Sequence, residues 1–467
     1  MENRQKRGSF TGSLGFVLAA AGSAVGLGNI WRFPYLAAKD GGGVFLLCYL
    51  VLALTFGFAL LTTEIAIGRK TGKSPLMAYQ MLHKKFGWIG VLACLIPTLI
   101  LPYYCVIGGW VLKYLGQFIT LGGGAAAADG FFTGFITAQW SPVFWFMLFL
   151  GATAFVVYKG VDKGIERFST VLMPILLVMI VGIGLFSLTL THTDAAGITR
   201  TGLEGMKIYM VPDFTGMTLG RFVVILSDAL GQLFYSISVA MGIMIAYGSY
   251  VGKETNVVKS VNQIEIFDTM VAFLAGLMIV PAVYTFMGTE GMAAGPSLMF
   301  ISLPKIFEAM GVMGSVVGIV FFVMVAFAAL TSSVSVMEAV VSSAVDKFHL
   351  SREKAVAWVT ALTGVVGIVV CLGYNALYFE LHLPNGSVGQ VLDVLDYLSN
   401  FVLMPVVAIM TCVLVGWVIG PKSVIEEVKR NGERFTREKL YVAMIKIVAP
   451  ILLAFLLLQA LGIISIS

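Results

Sequence analysis

Charged side chains are scarce in this sequence: only 12% of its 467 residues are Asp, Glu, Lys or Arg, whereas 58% are hydrophobic. Soluble domains carry about 25% charged residues, so a soluble fold of this composition could not cover its own surface. Histidine and cysteine are also rare, with four and five copies, and their positions suggest neither a metal cluster nor a disulfide framework. The composition therefore argues against a soluble enzyme and favours a chain embedded in lipid.

Long apolar runs are what the sequence has instead. A helix needs about 20 apolar residues to span a bilayer. Eleven segments qualify, the fourth of them short and weak, at 13–37, 43–68, 88–118, 141–158, 168–190, 225–250, 260–288, 311–345, 353–374, 390–420 and 440–463. We therefore predict an all-α polytopic membrane protein with a single membrane domain over 1–467, in which GGGAAAAD at 122–129 forms a flexible outer loop.

Lysine and arginine are concentrated in alternate loops, and the positive-inside rule places such loops in the cytoplasm. Basic clusters precede the first predicted helix and follow the second, fourth, eighth and tenth, whereas residues 114–158 and 355–421 contain no Lys or Arg. We therefore expect a cytoplasmic N-terminus, and the odd number of helices places the C-terminus outside. The net charge of +5 then reflects topology, and nucleic acid is not predicted as a partner.

Two predicted helices are interrupted by small and polar residues at mid-membrane, namely GSAVGLGN at 22–29 and GQLFYSISVAMG at 231–242. They are five helices apart, as expected when two five-helix halves each begin with a broken helix. Close helix packing through small residues is the alternative. Asn29 and Arg32 favour the break, because polar side chains inside a membrane need partners.

Several long motifs resemble one family. AAAGSAVGLGNIWRFPYLAAKDGGGVFLL is similar to the first-helix signature of the neurotransmitter:sodium symporter family, in its bacterial branch. The similarity continues through TTEIAIGR around Glu64, Tyr103-Tyr104, GQLFYSIS and AALTSS. The resemblance implies the leucine-transporter fold, an inverted five-helix repeat with broken helices 1 and 6 that is known from this family's bacterial leucine transporter. The two repeats would be 13–190 and 225–420, with an extra helix 11 at 440–463.

The resemblance implies a sodium-coupled secondary transporter that imports an amino acid by alternating access across a bacterial inner (cytoplasmic) membrane. Two Na⁺ sites, an amino-acid substrate and the lipid bilayer are the expected ligands and partners, and a monomer or a dimer remains open. Two alternatives also remain. A gated sodium channel needs a polar pore stripe or a carbonyl filter, and a membrane amino-acid sensor would normally add a signalling domain.

The resemblance also implies a substrate site. Its expected residues are Ala24, Gly26, Leu27, Gly28, Ile100, Tyr104, Tyr235, Ser236, Ser238, Met241, Ser332 and Val336, with the substrate carboxylate held near Leu27, Gly28 and Tyr104. Gly26 stands where monoamine carriers have Asp, which favours an α-amino acid. The mostly apolar wall, with the flexible Met241, predicts a hydrophobic or aromatic side chain. The hydroxyl of Tyr235 needs a partner, which favours a polar aromatic such as tyrosine.

Two sodium sites follow from the resemblance. The first takes Ala24, Asn29, Ser236 and Asp268, and the second takes Gly22, Val25, Ala328, Thr331 and Ser332. Asp268 stands where the family often has Asn, and its charge would replace chloride, with Tyr49, Gln232 and Ser236 as hydrogen-bond donors. A protonated Asp268, or a competing role for Glu265 on the same helix face, is the alternative. Without the motif, Thr331 and Ser332 would simply bond back to their own helix.

Gates are the last expectation from the resemblance. Arg32 with Asp396 would close the outer side and Arg7 with Asp346 the inner side, and exposed pairs worth about 0–1 kcal/mol suit contacts that break in every cycle. Gly164 and Pro174 mark a stretch of helix 5 that some relatives unwind, although a proline kink also explains Pro174. Glu64 would hold the unwound backbone or serve helix packing.

Overall fold

The computed structural model describes residues 8–194, 196–291 and 298–464. In this part of the chain, nine continuous helices are long and apolar enough to cross a membrane. They are α2 (Gly43–Thr71), α3 (Lys84–Ile119), α4 (Ser141–Tyr158), α5 (Val161–Leu188), α7 (Val257–Gly288), α8 (Val312–Phe348), α9 (Arg352–Leu372), α10 (Val391–Val418) and α11 (Glu438–Ala460).

Two further segments are broken, and with them the predicted number of eleven is reached. The first is α1a (Ser13–Ala24) and α1b (Gly28–Lys39), which meet at 57° and together make a tenth span. The second is α6a (Leu219–Ser236) and α6b (Ile243–Gly248), which does not form a continuous span because residues 237–242 interrupt it.

The loops are more ordered than the sequence analysis predicts. Short helices lie at Pro75–Leu82, Gly123–Ala127, Phe131–Ile136, Gly202–Met210, Leu303–Ala309 and Lys422–Val428. Two small antiparallel hairpins, β1–β2 (Thr191–Thr193 with Thr199–Thr201) and β3–β4 (Leu381–His382 with Val388–Gly389), add strands to an otherwise helical chain. The prediction of a flexible loop at 122–129 is wrong, because Ala126 and Ala127 are buried in a helix.

The break in helix 6 contains unusual backbone. Ser238 and Ala240 have φ of +54° and +63°, a left-handed conformation that costs a non-glycine residue about 1–2 kcal/mol. The Ala240 N–H donates to Glu64 Oε1 at 2.6 Å, and Ser238 Oγ donates to the Ser23 carbonyl at 3.0 Å. A buried acid on α2 and the break in helix 1 therefore stabilise the strained turn, which is the role expected of Glu64.

Helix α8 packs against α3, α4 and α5 and against α1a. It therefore forms one wall of the space into which both breaks open. Helices α1, α3, α6 and α8 surround this space, and α7 packs against helix 1 on the other side. The fold thus places two interrupted helices opposite two continuous ones.

Candidate functional site

Both breaks face one small cavity. Its walls contain all twelve residues predicted for the substrate site, together with Ser23 and Asn29. Ser23 is missing from the predicted site, although it lies in the same GSAVGLGN run and its hydroxyl donates to Ser238 Oγ at 3.1 Å. The position of Ser23 within the first-helix motif was the signal that could have identified it.

At one end of the cavity, the helix 1 backbone has no room for side chains at two glycines. A Cβ added at Gly26 would lie 2.8 Å from Ser332 Oγ and 3.0 Å from Tyr104 Oη, and one at Gly28 would lie 2.9 Å from the Tyr235 ring. The Leu27 N–H donates to Tyr104 Oη at 3.4 Å. Backbone amide groups and a phenol hydroxyl thus converge where an anionic group can approach the peptide chain.

A polar cluster that includes a carboxylate lies beside this end of the cavity. Asn29 Nδ2 donates to Asp268 Oδ1 at 2.8 Å, and Ser236 Oγ lies 2.9 Å from the same oxygen. Tyr49 Oη donates to Asp268 Oδ2 at 3.3 Å. Asp268 is only 1% exposed, so an ionised carboxylate there needs these donors or a cation. Carboxylate, amide and hydroxyl oxygens are suitable ligands for a hard cation.

Two predicted neighbours of Asp268 lie elsewhere. Gln232 Nε2 donates to the Gly28 carbonyl at 3.1 Å rather than to Asp268, because the amide faces the backbone left open by the helix 1 break. Glu265 forms an ion pair with Arg437 at 2.9 Å, so it does not compete for the Asp268 position.

A second polar group joins helix 8 to the helix 1 break. Ser332 Oγ lies 3.3, 3.1 and 3.3 Å from the carbonyls of Gly22, Ser23 and Val25. One hydroxyl proton cannot satisfy three carbonyls, so acceptor capacity remains for a cation. Thr331 Oγ1 donates back to the carbonyls of Phe327 and Ala328 at 3.1 and 3.0 Å. The five residues predicted for a second sodium site are therefore neighbours, and all of their ligand atoms are neutral oxygens.

The predicted outer gate is not closed by an ion pair. Arg32 and Asp396 form no ion pair in the described structure; the Arg32 guanidinium lies 5.9 Å from the centroids of both the Tyr235 and the Phe401 rings. Asp396 Oδ1 instead accepts from Asn400 Nδ2 at 2.6 Å. A cavity larger than the central one, lined by Arg32, Tyr235, Asn400 and Phe401 among others, opens above the site, and Arg32 is held there by aromatic faces.

On the inner side, Asp346 lies near the end of α8 and contacts the segment that follows α2. Its Oδ2 accepts from the Ser74 N–H at 2.7 Å, and its Oδ1 is 3.7 Å from Lys73 Nζ. Arg7, the predicted partner of Asp346, lies outside the described residues, so the proposed inner pair stays a prediction.

A charged cluster that the sequence does not predict joins α1b and α6a at their outer ends. Lys39 Nζ lies 3.0 Å from Asp228 Oδ2 and 4.0 Å from Asp40 Oδ1, and Arg221 lies 3.1 Å from Asp40. Burial, followed by the neighbouring Asp228 carboxyl, raises the pKa of Asp40 from its ordinary 3.8 to about 7. No sequence signal pairs these residues, because they are far apart in the chain.

Comparison with known proteins decides the family. The family model described as the sodium:neurotransmitter symporter family matches residues 7–122 and 136–466. The chain belongs to this family. It is accordingly a sodium-dependent membrane transporter of a small molecule, and the family consists of transporters rather than enzymes.

Relatives of this symporter are found in bacteria, archaea and animals. The sodium-dependent transporter YhdH of Bacillus subtilis is 33% identical, covering 99% of this chain and 100% of that protein. A sodium-dependent transporter of Methanocaldococcus jannaschii is 32% identical over 92% of this chain and 85% of its own. The human sodium- and chloride-dependent GABA transporter 2 is 26% identical over 91% of this chain and 75% of its own.

A solved structure gives the fold of this symporter. The crystal structure of MhsT in complex with L-phenylalanine matches with a TM-score of 0.84 and 34% identity, covering 97% of this chain and 100% of that chain. The predicted fold class, the leucine-transporter architecture with about eleven helices, is thereby confirmed.

Proposed function

We propose that this symporter imports a hydrophobic or aromatic L-amino acid together with Na⁺, by alternating access and without chloride. One observation carries the proposal. Both helix breaks face the same cavity, and the Asp268–Asn29–Ser236 cluster lies beside it. A small cavity between the two breaks, with a mostly apolar wall, also favours a carrier over a gated channel, which needs a continuous polar pore.

The shape of the cavity supports an α-amino acid as the substrate. Gly26 has no room for an acidic side chain, so no fixed carboxylate stands where an amine without its own carboxylate would need one. The carboxylate of an amino acid would bind near the Leu27 amide and Tyr104. Ile100, Met241 and Val336 provide an apolar wall, and the similar protein MhsT was crystallised with L-phenylalanine.

Two residues are expected to set the side-chain preference. Met241 adapts to side chains of different shape, which supports broad tolerance. Tyr235 lines both the central and the outer cavity, so it would cover the bound substrate. Its hydroxyl favours a substrate that offers a hydrogen-bond partner, such as the phenol of tyrosine.

Two sodium ions would bind beside the substrate. The first would bind Ala24, Asn29, Ser236 and Asp268, and the second the carbonyls of Gly22, Val25 and Ala328 with Thr331 and Ser332. In the first site an ionised Asp268 would supply the negative charge that chloride provides in chloride-dependent relatives. Its three donors, Asn29, Ser236 and Tyr49, help to keep a buried carboxylate ionised.

The organisation of the chain in the membrane follows from the same proposal. The repeats would be 13–190 and 225–420, with helix 11 beyond them, in a bacterial inner membrane with the N-terminus in the cytoplasm and the C-terminus outside.

Counterflow in proteoliposomes tests the proposal. Labelled phenylalanine, leucine, tyrosine and γ-aminobutyrate are offered with and without Na⁺, and with and without Cl⁻. We expect sodium-dependent uptake of the first three that is indifferent to chloride. Uptake of phenylalanine without Na⁺, or of γ-aminobutyrate alone, would contradict the proposal.

The substitution Asp268→Asn tests the built-in charge. In chloride-free buffer it should lower uptake by about tenfold or more, because the bound Na⁺ loses its buried counter-charge, and added chloride should restore uptake. Glu265→Gln is the matched control, since this acid on the same helix pairs with Arg437 instead and should leave chloride indifference unchanged. If Asp268→Asn transports normally without chloride, the carboxylate does not have this role.

A further inference from the structure

The start of α1a has no cap of its own. A helix N-terminus leaves backbone N–H groups without partners and carries a partial positive charge. The N-cap residue is Gly12, which offers no side chain, and the first turn contains no acidic residue. The end of this half-helix therefore needs a negative group from another part of the chain.

Glu166 on α5 provides that group. Its Oε2 accepts from the Thr11 N–H at 2.8 Å, and its Oε1 accepts from Thr11 Oγ1 at 2.5 Å. The side chain is only 7% exposed. A Cβ added at Gly15 would lie 1.9 Å from Glu166 Oε1, so only glycine allows the carboxylate to lie this close to the first turn of α1a.

The segment that presents Glu166 has an uncommon conformation. Residues Val161–Glu166 form a π-helical turn at the inner end of α5, and such turns are rare and often found at functional sites. Gly160 has φ of +94°, and a Cβ added at Gly164 would lie 2.2 Å from the Val156 carbonyl oxygen. The position of Glu166 thus depends on a tightly packed turn that contains two glycines.

Within the part of the chain that the structure describes, the contacts of Phe10 at this end of α1a are apolar or involve backbone. The Phe10 N–H donates to the Tyr250 carbonyl at 3.1 Å, and the Phe10 ring packs against Phe16, Tyr247 and Tyr250. Among the described residues, Glu166 is the charged side chain that hydrogen-bonds to the segment at the start of α1a. It is therefore the strongest single contact by which α5 holds the start of α1a.

We propose that Glu166 is a positioning residue of transport, a latch that holds α1a closed over the inner side of the site and releases it when substrate leaves toward the cytoplasm. A helix of 12 residues is about 18 Å long. Its far end carries the Gly22 carbonyl and leads into Val25, both proposed ligands of the second sodium ion. Movement of the latched end therefore displaces the sodium ligands.

The latch and sodium are coupled through this helix. The Glu166 contact and bound Na⁺ both stabilise the same position of α1a. Each therefore raises the equilibrium constant for forming the other by the same factor. The sodium part of this inference rests on the proposed function, whereas the latch itself does not. Loss of the Glu166 contact should open the inner side even in sodium-free buffer.

A cysteine at position 169 reports this opening. Glu166 and Met173 both face α1a, at Gly15 and Gly22. Ser169 lies between them at helical spacing and is 3% exposed, so it shares this covered face. The reporter is Ser169→Cys in full-length purified protein whose five cysteines, Cys48, Cys94, Cys105, Cys371 and Cys412, are replaced. The measurement is its reaction rate with a charged, water-soluble thiol reagent.

We expect Glu166→Gln to raise the sodium-free reaction rate about tenfold, the usual size for a hydrogen-bonded charge. Thr11→Val should also raise this rate, whereas Thr11→Ser, which keeps the hydroxyl, should not. The double variant Thr11→Val with Glu166→Gln should react only slightly faster than either single variant. Asp162→Asn is the matched control, because it removes an exposed acid from the same turn. The Na⁺ concentration that halves the reaction rate of the cysteine at position 169 should rise in parallel with the sodium-free rate.

Thermal melting checks that each variant is folded, and Thr11→Val provides a milder change if Glu166→Gln fails to fold. The latch proposal is wrong if Glu166→Gln and Thr11→Val both react at the rate of the parent. It is also wrong if Asp162→Asn raises the rate as much as Glu166→Gln does. If Na⁺ fails to protect even the parent, the proposed sodium coupling is wrong, and the sodium-free rates still decide on the latch.

Discussion

The inner and outer ends of this transporter are closed by different kinds of contact. At the inner end, charged groups are buried and hydrogen-bonded. Glu338 is fully buried, accepts from Tyr250 Oη at 2.7 Å and pairs with Arg352, whose guanidinium also donates to the Val157 carbonyl. At the outer end, Arg32 rests on two aromatic rings beneath an open cavity.

This difference has an energetic meaning. Breaking a buried ion pair leaves an uncompensated charge and costs about 3–5 kcal/mol, whereas cation–π contacts at exposed sites are worth about 0.5–1 kcal/mol. The buried Glu338–Arg352 pair therefore costs more free energy to break than the contacts of Arg32 with the two aromatic rings.

The largest effect should come from the inner side. Arg352→Gln leaves the buried Glu338 carboxylate without its ion-pair partner, so we expect a loss of about 3–5 kcal/mol of stability, measured as a marked fall of the melting temperature in detergent. Lys354→Gln is the control, because Lys354 is an exposed cation on the same helix and should change stability by less than about 0.5 kcal/mol. Equal shifts in the two variants would remove the contrast between the ends.

A smaller effect is expected at the outer side. Arg32→Lys keeps the charge but loses the planar group that lies over Tyr235 and Phe401. The half-saturating substrate concentration should rise about two- to fivefold, corresponding to roughly 0.5–1 kcal/mol. Uptake measured over a range of substrate concentrations gives this value.

Asp396→Asn sharpens the same measurement. Asp396 hydrogen-bonds to Asn400 in this structure. The substitution Asp396→Asn should therefore change the half-saturating substrate concentration less than Arg32→Lys does. A larger loss would mean that the predicted Arg32–Asp396 ion pair forms in another state of the cycle.

The sequence was informative where function depends on local motifs. The eleven segments follow from apolar run length, and the two breaks follow from small and polar residues such as Gly26 and Asn29, which lie close together in the chain. The lining of the cavity follows from the resemblance to a known family. All twelve residues predicted for the substrate site line one cavity. The role of each as a ligand remains a prediction.

The sequence was uninformative where function depends on contacts between distant segments. Thr11 and Glu166 are 155 residues apart, and Lys39 and Asp228 are 189 apart. No periodicity links such pairs, because their distance is set by how the helices pack. For the same reason Gln232 was assigned to Asp268, when the break in helix 1 offered a nearer carbonyl.

The smallest predicted effect concerns Asp40 at the outer end. Its pKa of about 7 lies above the ordinary 3.8, so the folded protein holds a proton that the unfolded chain releases. This contribution to stability is present below pH 4 and is lost as the pH rises to about 7. Lys39 and Arg221 oppose the loss, since both lie within 4.0 Å of Asp40.

Asp40→Asn keeps the side chain neutral at every pH. We expect its melting temperature to exceed that of the parent by on the order of 1–2 °C at pH 8, and the difference to vanish near pH 4. For Arg352→Gln, the difference in melting temperature from the parent should not vanish near pH 4, because the charges that this substitution disturbs lie at the opposite end. A difference between Asp40→Asn and the parent that is constant from pH 4 to pH 8 would mean that Asp40 is ionised throughout. The outer ends of α1b and α6a would then be joined by a plain network of ion pairs.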